Sequence, residues 1–150
     1  MSKIVLLDSG PLGMVTNPKA LPECEACRSW LESLLIKNVV VKIPEIADYE
    51  VRRELLRANK LNGLRRLDEL KNRLPYIPLD TQTMLKAAEF WAKARQTGQP
   101  TAGSEALDGD VILAAQATLL QIGGDTVVVA TTNVKHLSRF VDAREWKTIQ

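Results

Sequence analysis

Three carboxylates lie far apart in the chain, Asp8, Glu50 and Asp110, each beside a segment that could carry it to one edge of a sheet. Asp8 ends the run Lys3-Ile4-Val5-Leu6-Leu7 and is followed by Ser9-Gly10-Pro11. A short apolar, partly β-branched run of this kind reads as a strand buried on both faces, with a charge at its tip. In open α/β sheets, ligands bind beyond the carboxyl ends of the strands, where Asp8 would sit. Asp before Gly and Pro is also ordinary turn chemistry, so that stretch alone decides nothing. Acids gathered in one crevice raise one another's pKa, a cost to the fold that a bound cation would offset. An unfinished shell of Asp and Glu with no His or Cys suits Mg²⁺ or Mn²⁺ far better than zinc.

The elements that must position these acids follow from periodicity. After a loop expected over residues 10–21, Cys24, Cys27, Leu31, Leu34 and Leu35 mark a helix over 22–37. Val39 to Ile43 is a second buried strand, bounded by Pro44. Ala47, Val51, Leu55 and Ala58 repeat at helical spacing to about residue 59, with Glu50 in the second turn, near the strand's end. Glu50 could equally pair with Arg53 on an exposed face. Asn62-Gly63 is expected to break the chain before a helix carrying Leu64, Leu67, Leu70 and Leu74. Residues 76–79 form a candidate third strand, and Asp80 or Thr81 caps a helix whose core face is Met84, Leu85, Ala88, Trp91 and Ala92. Residues 96–104 read as loop. The segment 107–117, apolar nearly all round, reads as a central helix with Asp108 and Asp110 at its start. One of these acids is accounted for as a cap, the other is not. Thr126 to Ala130 is the fourth strand, ending in Thr131-Thr132-Asn133; a short helix over 134–140 and an edge strand over 146–149 close the chain. The order predicts one α/β domain over 1–150, a three-layer α/β/α sandwich with a mainly parallel central sheet.

Composition bounds the rest. The 150 residues carry a net charge of +2, 45% apolar and 25% charged side chains, with no repeats. The few apolar residues before Asp8 do not make a signal peptide, and no run is long enough to span a bilayer, so a cytoplasmic protein without membrane contact is expected. Cys24 and Cys27 lie on the apolar stripe and read as buried core thiols, because His136 is the lone histidine and cannot complete a zinc site. His136 also has no partner for metal-free acid–base cleavage and reads as structural or peripheral. Residues 52–73 hold eight basic side chains against three acidic ones; this is either a solvated face or a phosphate-contacting one.

Leu6-Leu7-Asp8-Ser9, the segment Tyr49 to Leu55 with Glu50, the segment Asp110 to Ala117, and Thr131-Thr132-Asn133-Val134-Lys135-His136-Leu137 resemble, in order and spacing, the four signature stretches of PIN-domain ribonucleases, in particular the VapC-like toxin branch. The resemblance implies a Mg²⁺- or Mn²⁺-dependent endoribonuclease acting on single-stranded RNA. It also implies a homodimer held inactive by a small antitoxin that inserts a basic side chain or peptide into the acidic pocket. Under it Asp8, Glu50 and Asp110 become the catalytic acids, Asp8, Asp110, Asp108 and Asn133 the metal ligands, and Ser9 and Thr132 the hydroxyls near the metal. The fourth position, acidic in many members, is Asn133 here; its amide oxygen ligates without bringing charge, and Asp108 is the candidate to compensate. Arg52, Arg53, Arg57 and Lys60, adjacent to Glu50, read as an RNA backbone track. A haloacid dehalogenase-type phosphatase is excluded because Gly10 stands where its second Asp is needed. The alternative is a PIN-like module that binds RNA or protein without cleaving, for which Asn133 is the hint.

Overall fold

The computed structural model describes residues 3–98 and 104–150. Five parallel strands form the sheet in the order β3-β2-β1-β4-β5: β1 (Lys3–Leu7), β2 (Val40–Pro44), β3 (Tyr76–Ile77), β4 (Thr126–Thr131) and β5 (Ala143–Glu145). The β-branched runs occupy the centre, where both faces are covered. Val5, Leu7, Val41, Ile43, Val128 and Ala130 face one core; Ile4, Leu6, Val127 and Val129 face the other. This alternation is the period of two that a pleated strand imposes, with apolar residues at both phases because helices lie on both sides. The expected three-layer α/β/α sandwich is the observed architecture.

On the first face pack α1 (Ser9–Thr16), α2 (Pro22–Ile36), α3 (Glu45–Arg57) and α4 (Leu61–Arg73). On the second lie α6 (Ser104–Ile122) and α7 (Val134–Leu137), with α5 (Thr81–Gln96) packed against α6. The chain leaves β1 toward β2 on one side and reaches β4 on the other, so the strand order reverses between β1 and β4. The carboxyl ends of those two strands therefore flank the switch point, where open α/β sheets form a ligand crevice.

Several local expectations are corrected. The stretch after Asp8 is not a loop but α1: Asp8 accepts the Ser9 N–H at 2.8 Å as N-cap, and Pro11 falls in the first turn, where its missing N–H is not needed. Burial of Leu12 and Val15 then offsets the poor helix propensity of Gly10 and Gly13. Asn62-Gly63 does not break the chain; it lies in the first turn of α4, and the break is at Asn59, whose φ is +55°. The face of α5 is turned from the expected one. Met84, Leu85, Ala88 and Trp91 are exposed, Ala92 is half-buried, Thr83 is buried, and Ala87 and Ala94 are buried against α6. Helix α6 begins at Ser104, so Asp108 and Asp110 lie within it rather than at its cap; of the loop expected over 96–104, residues 99–103 lie outside the described residues. The third strand is only two residues long, α7 ends at Leu137 rather than 140, and the last strand comes earlier than expected, followed by a 3₁₀ turn over Trp146–Thr148. Trp146 is buried there and meets the edge of Trp30 at a centroid distance of 5.6 Å, while Trp30 Nε1 donates to the carbonyl of Ile149. Cys24 and Cys27 are buried and free, as expected, and burial pushes the Cys27 thiol up to about 12. Among the described residues no helix is long and apolar enough to cross a membrane.

Candidate active site

Asp8 continues the β1–β4 ladder through its N–H, which donates to the carbonyl of Ala130 at 3.0 Å. Its side chain is held at both oxygens: Oδ1 accepts the Ser9 N–H, and Oδ2 accepts the hydroxyl of Thr131 at 2.7 Å. Thr131 Oγ1 in turn accepts the N–H of Asn133 at 2.8 Å. Burial raises the pKa of Asp8 despite these two bonds. The hydroxyl wired to the first acid is thus that of Thr131, which is fully buried, and not that of Thr132, which is exposed and lies over Gly10. A Cβ added at Gly10 would meet Thr132 Oγ1 at 2.7 Å, so the glycine admits that side chain.

Glu50 comes from α3 and Asp110 from α6, on opposite faces of the sheet, and both reach the edge where Asp8 stands. Burial, the charge of Asp8 and that of Asp110 push Glu50 up to about 7, partly countered by Arg53. Burial and the charge of Asp8 push Asp110 up to about 6, partly countered by His136 and Arg139. The three acids are therefore close enough to act on one another. Gly109 is what lets α6 come so near Glu50: a Cβ there would stand 2.6 Å from Glu50 Oε2.

The fourth side of the crevice is one that the sequence reading missed. His136 Nδ1 is 3.9 Å from Asp110 Oδ2, and the Arg139 guanidinium lies behind it, its Nε donating to the His136 carbonyl at 3.1 Å and its face on Phe140 at 4.9 Å. Asp110 Oδ2, His136 Nδ1 and both terminal nitrogens of Arg139 are buried without a hydrogen-bond partner. His136, expected to be peripheral, is thus beside the acids. Asp108 is not: it is exposed and lines a shallow groove with Met84, Trp91 and Ile112 between α5 and α6. Asn133 is exposed and makes its contact to the site through its backbone.

The basic residues divide in the same way. Arg52 is consumed by the fold: Nε and Nη2 bond both oxygens of Asp48 at 3.1 and 3.0 Å, and Nη2 also bonds Asp68 at 2.8 Å, joining α3 to α4. Asp48 is 5% exposed, so Arg52→Ala would strand a buried carboxylate. We expect this variant to lose about 1–3 kcal/mol in urea unfolding, with a larger loss than for any neighbouring basic residue. Arg57 pairs with Glu54 on the surface, a contact of small worth. Arg53, stacked on Tyr49, and Lys60 line a cleft of about 1170 Å³ that begins at Ser9 and Glu50 and continues over Leu21, Val51 and Leu55.

Comparison with known proteins bears on the fold and the family. The PIN domain family profile matches residues 5–139, nearly the whole chain. The protein belongs to the PIN domain family. Similar solved structures include VapBC2 from Rickettsia felis bound to a DNA fragment from their promoter, with a TM-score of 0.70, 19% identity, and coverage of 94% of this chain and 97% of that one. VapBC-1 from nontypeable Haemophilus influenzae aligns with a TM-score of 0.69 at 17% identity over 97% and 99% of the two chains. FitAcB from Neisseria gonorrhoeae does so at 0.65 and 22% over 97% and 99%. At these identities the likeness is one of fold. No curated protein matches the sequence significantly.

Whether this PIN domain's acids suit a divalent ion can be judged from their surroundings. Like charges are brought together under partial burial, and an unpartnered, buried carboxylate oxygen belongs to Asp110. Both features are costs that a hard cation would offset. Among the described residues no three His, Cys, Asp or Glu side chains are grouped closely enough to hold an ion by themselves, so water would have to complete the shell of any ion bound there. The energetic sign is testable. Because folding raises Glu50 from 4.5 to about 7 and Asp110 from 3.8 to about 6, the folded chain holds protons that the unfolded chain has released across that window. Stability of the metal-free protein therefore falls as pH rises from about 5 to about 7.5. Thermal melts should show this decline, and Mn²⁺ at the higher pH should reverse it; a flat profile would contradict the clustering.

Proposed function

We propose that this PIN domain is a divalent-metal-dependent endoribonuclease that cleaves single-stranded RNA, and that it is the toxin of a toxin–antitoxin pair. What supports the reading is that Asp8, Glu50 and Asp110 reach the same edge of the sheet, near its switch point, and act on one another electrostatically, each with a raised pKa. Asp8 and Asp110 would hold the ion, with Ser9 and Thr131 keeping the Asp8 carboxylate oriented through its two hydrogen bonds. A bound Mg²⁺ or Mn²⁺ supplies Lewis-acid activation of a water and compensates charge growing on the phosphate. Glu50, pushed up to about 7 by burial and its acidic neighbours, would accept a proton from the attacking water. No protein nucleophile is needed.

RNA would follow the cleft from Glu50, with Arg53 and Lys60 meeting phosphates on its rim. Replacing both by Ala should weaken single-strand binding and lower the salt slope by about 1.4, at roughly 0.7 per lost phosphate contact. Fluorescence anisotropy at several salt concentrations reads both effects; an unchanged slope would remove these two residues from the track. The same cleft, apolar along Leu21, Val51 and Leu55 and acidic at its head, suits an antitoxin segment that presents a basic side chain to the acids. The exposed stripe Met84, Leu85 and Trp91 on α5 supports a homodimer.

Purified protein incubated with mixed RNA tests the proposal directly. Cutting that requires Mn²⁺ or Mg²⁺ and stops with chelator is the expected result. Binding without cutting under both conditions would favour the non-cleaving module.

A further inference from the structure

We propose that Tyr49 is the stacking platform for an unpaired RNA base beside the bond that is cut. This rests on the endoribonuclease reading above and adds a substrate contact to it. The chain has three Trp, two Tyr and two Phe, and packing accounts for most of them. Trp30 meets Trp146, Phe90 meets Phe140, and Tyr76 is half-buried beneath the Lys71 ammonium at 4.3 Å. Trp91 stands away from the acids, on α5 over its groove with α6. Tyr49 remains. Its ring is 54% exposed, belongs to no core cluster among the described residues, and adjoins Glu50 on α3.

One face of that ring is already held. Arg53, one turn further along α3, sets its guanidinium 5.1 Å from the ring centroid, and Arg53 also lines the cleft that begins at Ser9 and Glu50. Tyr49 thus packs on a residue of the cleft's rim. Helical side chains lean toward the helix N-terminus, so the ring leans toward the end of α3 that follows β2, the end where Glu50 reaches the sheet edge. A planar guanidinium on one face fixes the plane of the ring and lowers the entropy cost of ordering it when a ligand arrives. The occupant is a base of single-stranded RNA, because only unpaired bases can be splayed out onto an aromatic face. Cation and ring then share the work: Arg53 meets phosphate, and Tyr49 holds the base whatever its identity, since every base has a π-face.

Two measurements on the full chain test the assignment: anisotropy of a labelled single-stranded RNA on the metal-free protein across salt concentrations, and steady-state cleavage of the same RNA with Mn²⁺. Tyr49→Ala is expected to weaken binding and raise KM by about 5–100-fold, the loss of one stacked base, with kcat within about threefold of wild type. Tyr49→Phe keeps the ring and should match wild type within about twofold. Stacking releases no counterions, so the salt slope of Tyr49→Ala should equal that of the wild type. An abasic nucleotide on one side of the cut bond should reproduce the loss in the wild type and add nothing in Tyr49→Ala. Tyr49 is exposed, so the melting temperature should not move. Wild-type binding and KM in Tyr49→Ala would overturn the inference, as would an equal loss in Tyr49→Phe or an abasic penalty that adds in full. A lowered salt slope would do so too, making Tyr49 only the seat of Arg53. Any of these beside metal-dependent cutting by the wild type spares the endoribonuclease reading, whereas a wild type that cuts no RNA overturns both.

Discussion

Asp8→Asn is expected to remove metal-dependent RNA cleavage while leaving the fold intact or firmer. Losing a group that merely orients a metal ligand typically costs 10–100-fold, so losing a carboxylate in the proposed ligand role should exceed about 100-fold. The scaffold has little to lose. Asn caps a helix about as well as Asp, so the Ser9 N–H keeps its acceptor. The Thr131 hydroxyl can turn toward the remaining oxygen. At neutral pH the substitution also deletes a carboxylate whose burial is unfavourable and which repels Glu50 and Asp110. The metal-free variant should therefore melt at or above the wild-type temperature at about pH 7.5, the sign that linkage requires for an acid whose pKa folding has raised. Steady-state cleavage of a labelled RNA with Mn²⁺, read beside calorimetry, separates the outcomes. Activity within tenfold of wild type would take Asp8 out of the chemistry, and a lost activity accompanied by a fall in melting temperature would make it a structural residue.

Gly109→Ala tests the same site from the other face. Within α6 an alanine is the better helix former, by about 0.5–1 kcal/mol. The new Cβ, however, would stand 2.6 Å from Glu50 Oε2 and 3.3 Å from its Cδ. The neighbour that must yield is the end of a flexible side chain, so the fold accommodates the change cheaply, and Glu50 does so only by leaving its position. A displacement on the order of 1 Å at a reacting group costs about 10²-fold. We expect cleavage to fall by about 10–100-fold with the melting temperature unchanged or raised, and the effect of Glu50→Gln to shrink when made in the Gly109→Ala background. Full activity in Gly109→Ala would mean that the position of Glu50 is immaterial.

Both predictions concern residues of ordinary type whose importance comes from what they face, and this divides what could be read from the chain from what could not. Thr131 and Thr132 are adjacent and chemically identical, yet alternation along β4 sends only the first inward to Asp8. Arg52 carries the same charge as Arg53, but two carboxylates from different helices claim it. On α5 Met84, Leu85 and Trp91 lie outside while Ala87 and Ala94 lie inside, where their small side chains let that helix approach α6 closely. Helix α1 was hidden by its glycines and proline, since propensity is local while the burial of Leu12 and Val15 is not.

The sequence by itself determined the three central strands, the place of Asp8 at the carboxyl tip of the first and the acids that could do chemistry, because β-branched runs, helical periodicity and residue type act over a few neighbouring positions. Only the tertiary structure decided which flank each acid presents. Asp110 faces Asp8 with His136 and Arg139 behind it, Asp108 faces away, and Gly109 opens the space for Glu50. Those relations depend on how α3, α6 and α7 are rotated and set against one sheet edge, which is fixed by packing between segments tens of residues apart and leaves no periodic signal in any one of them.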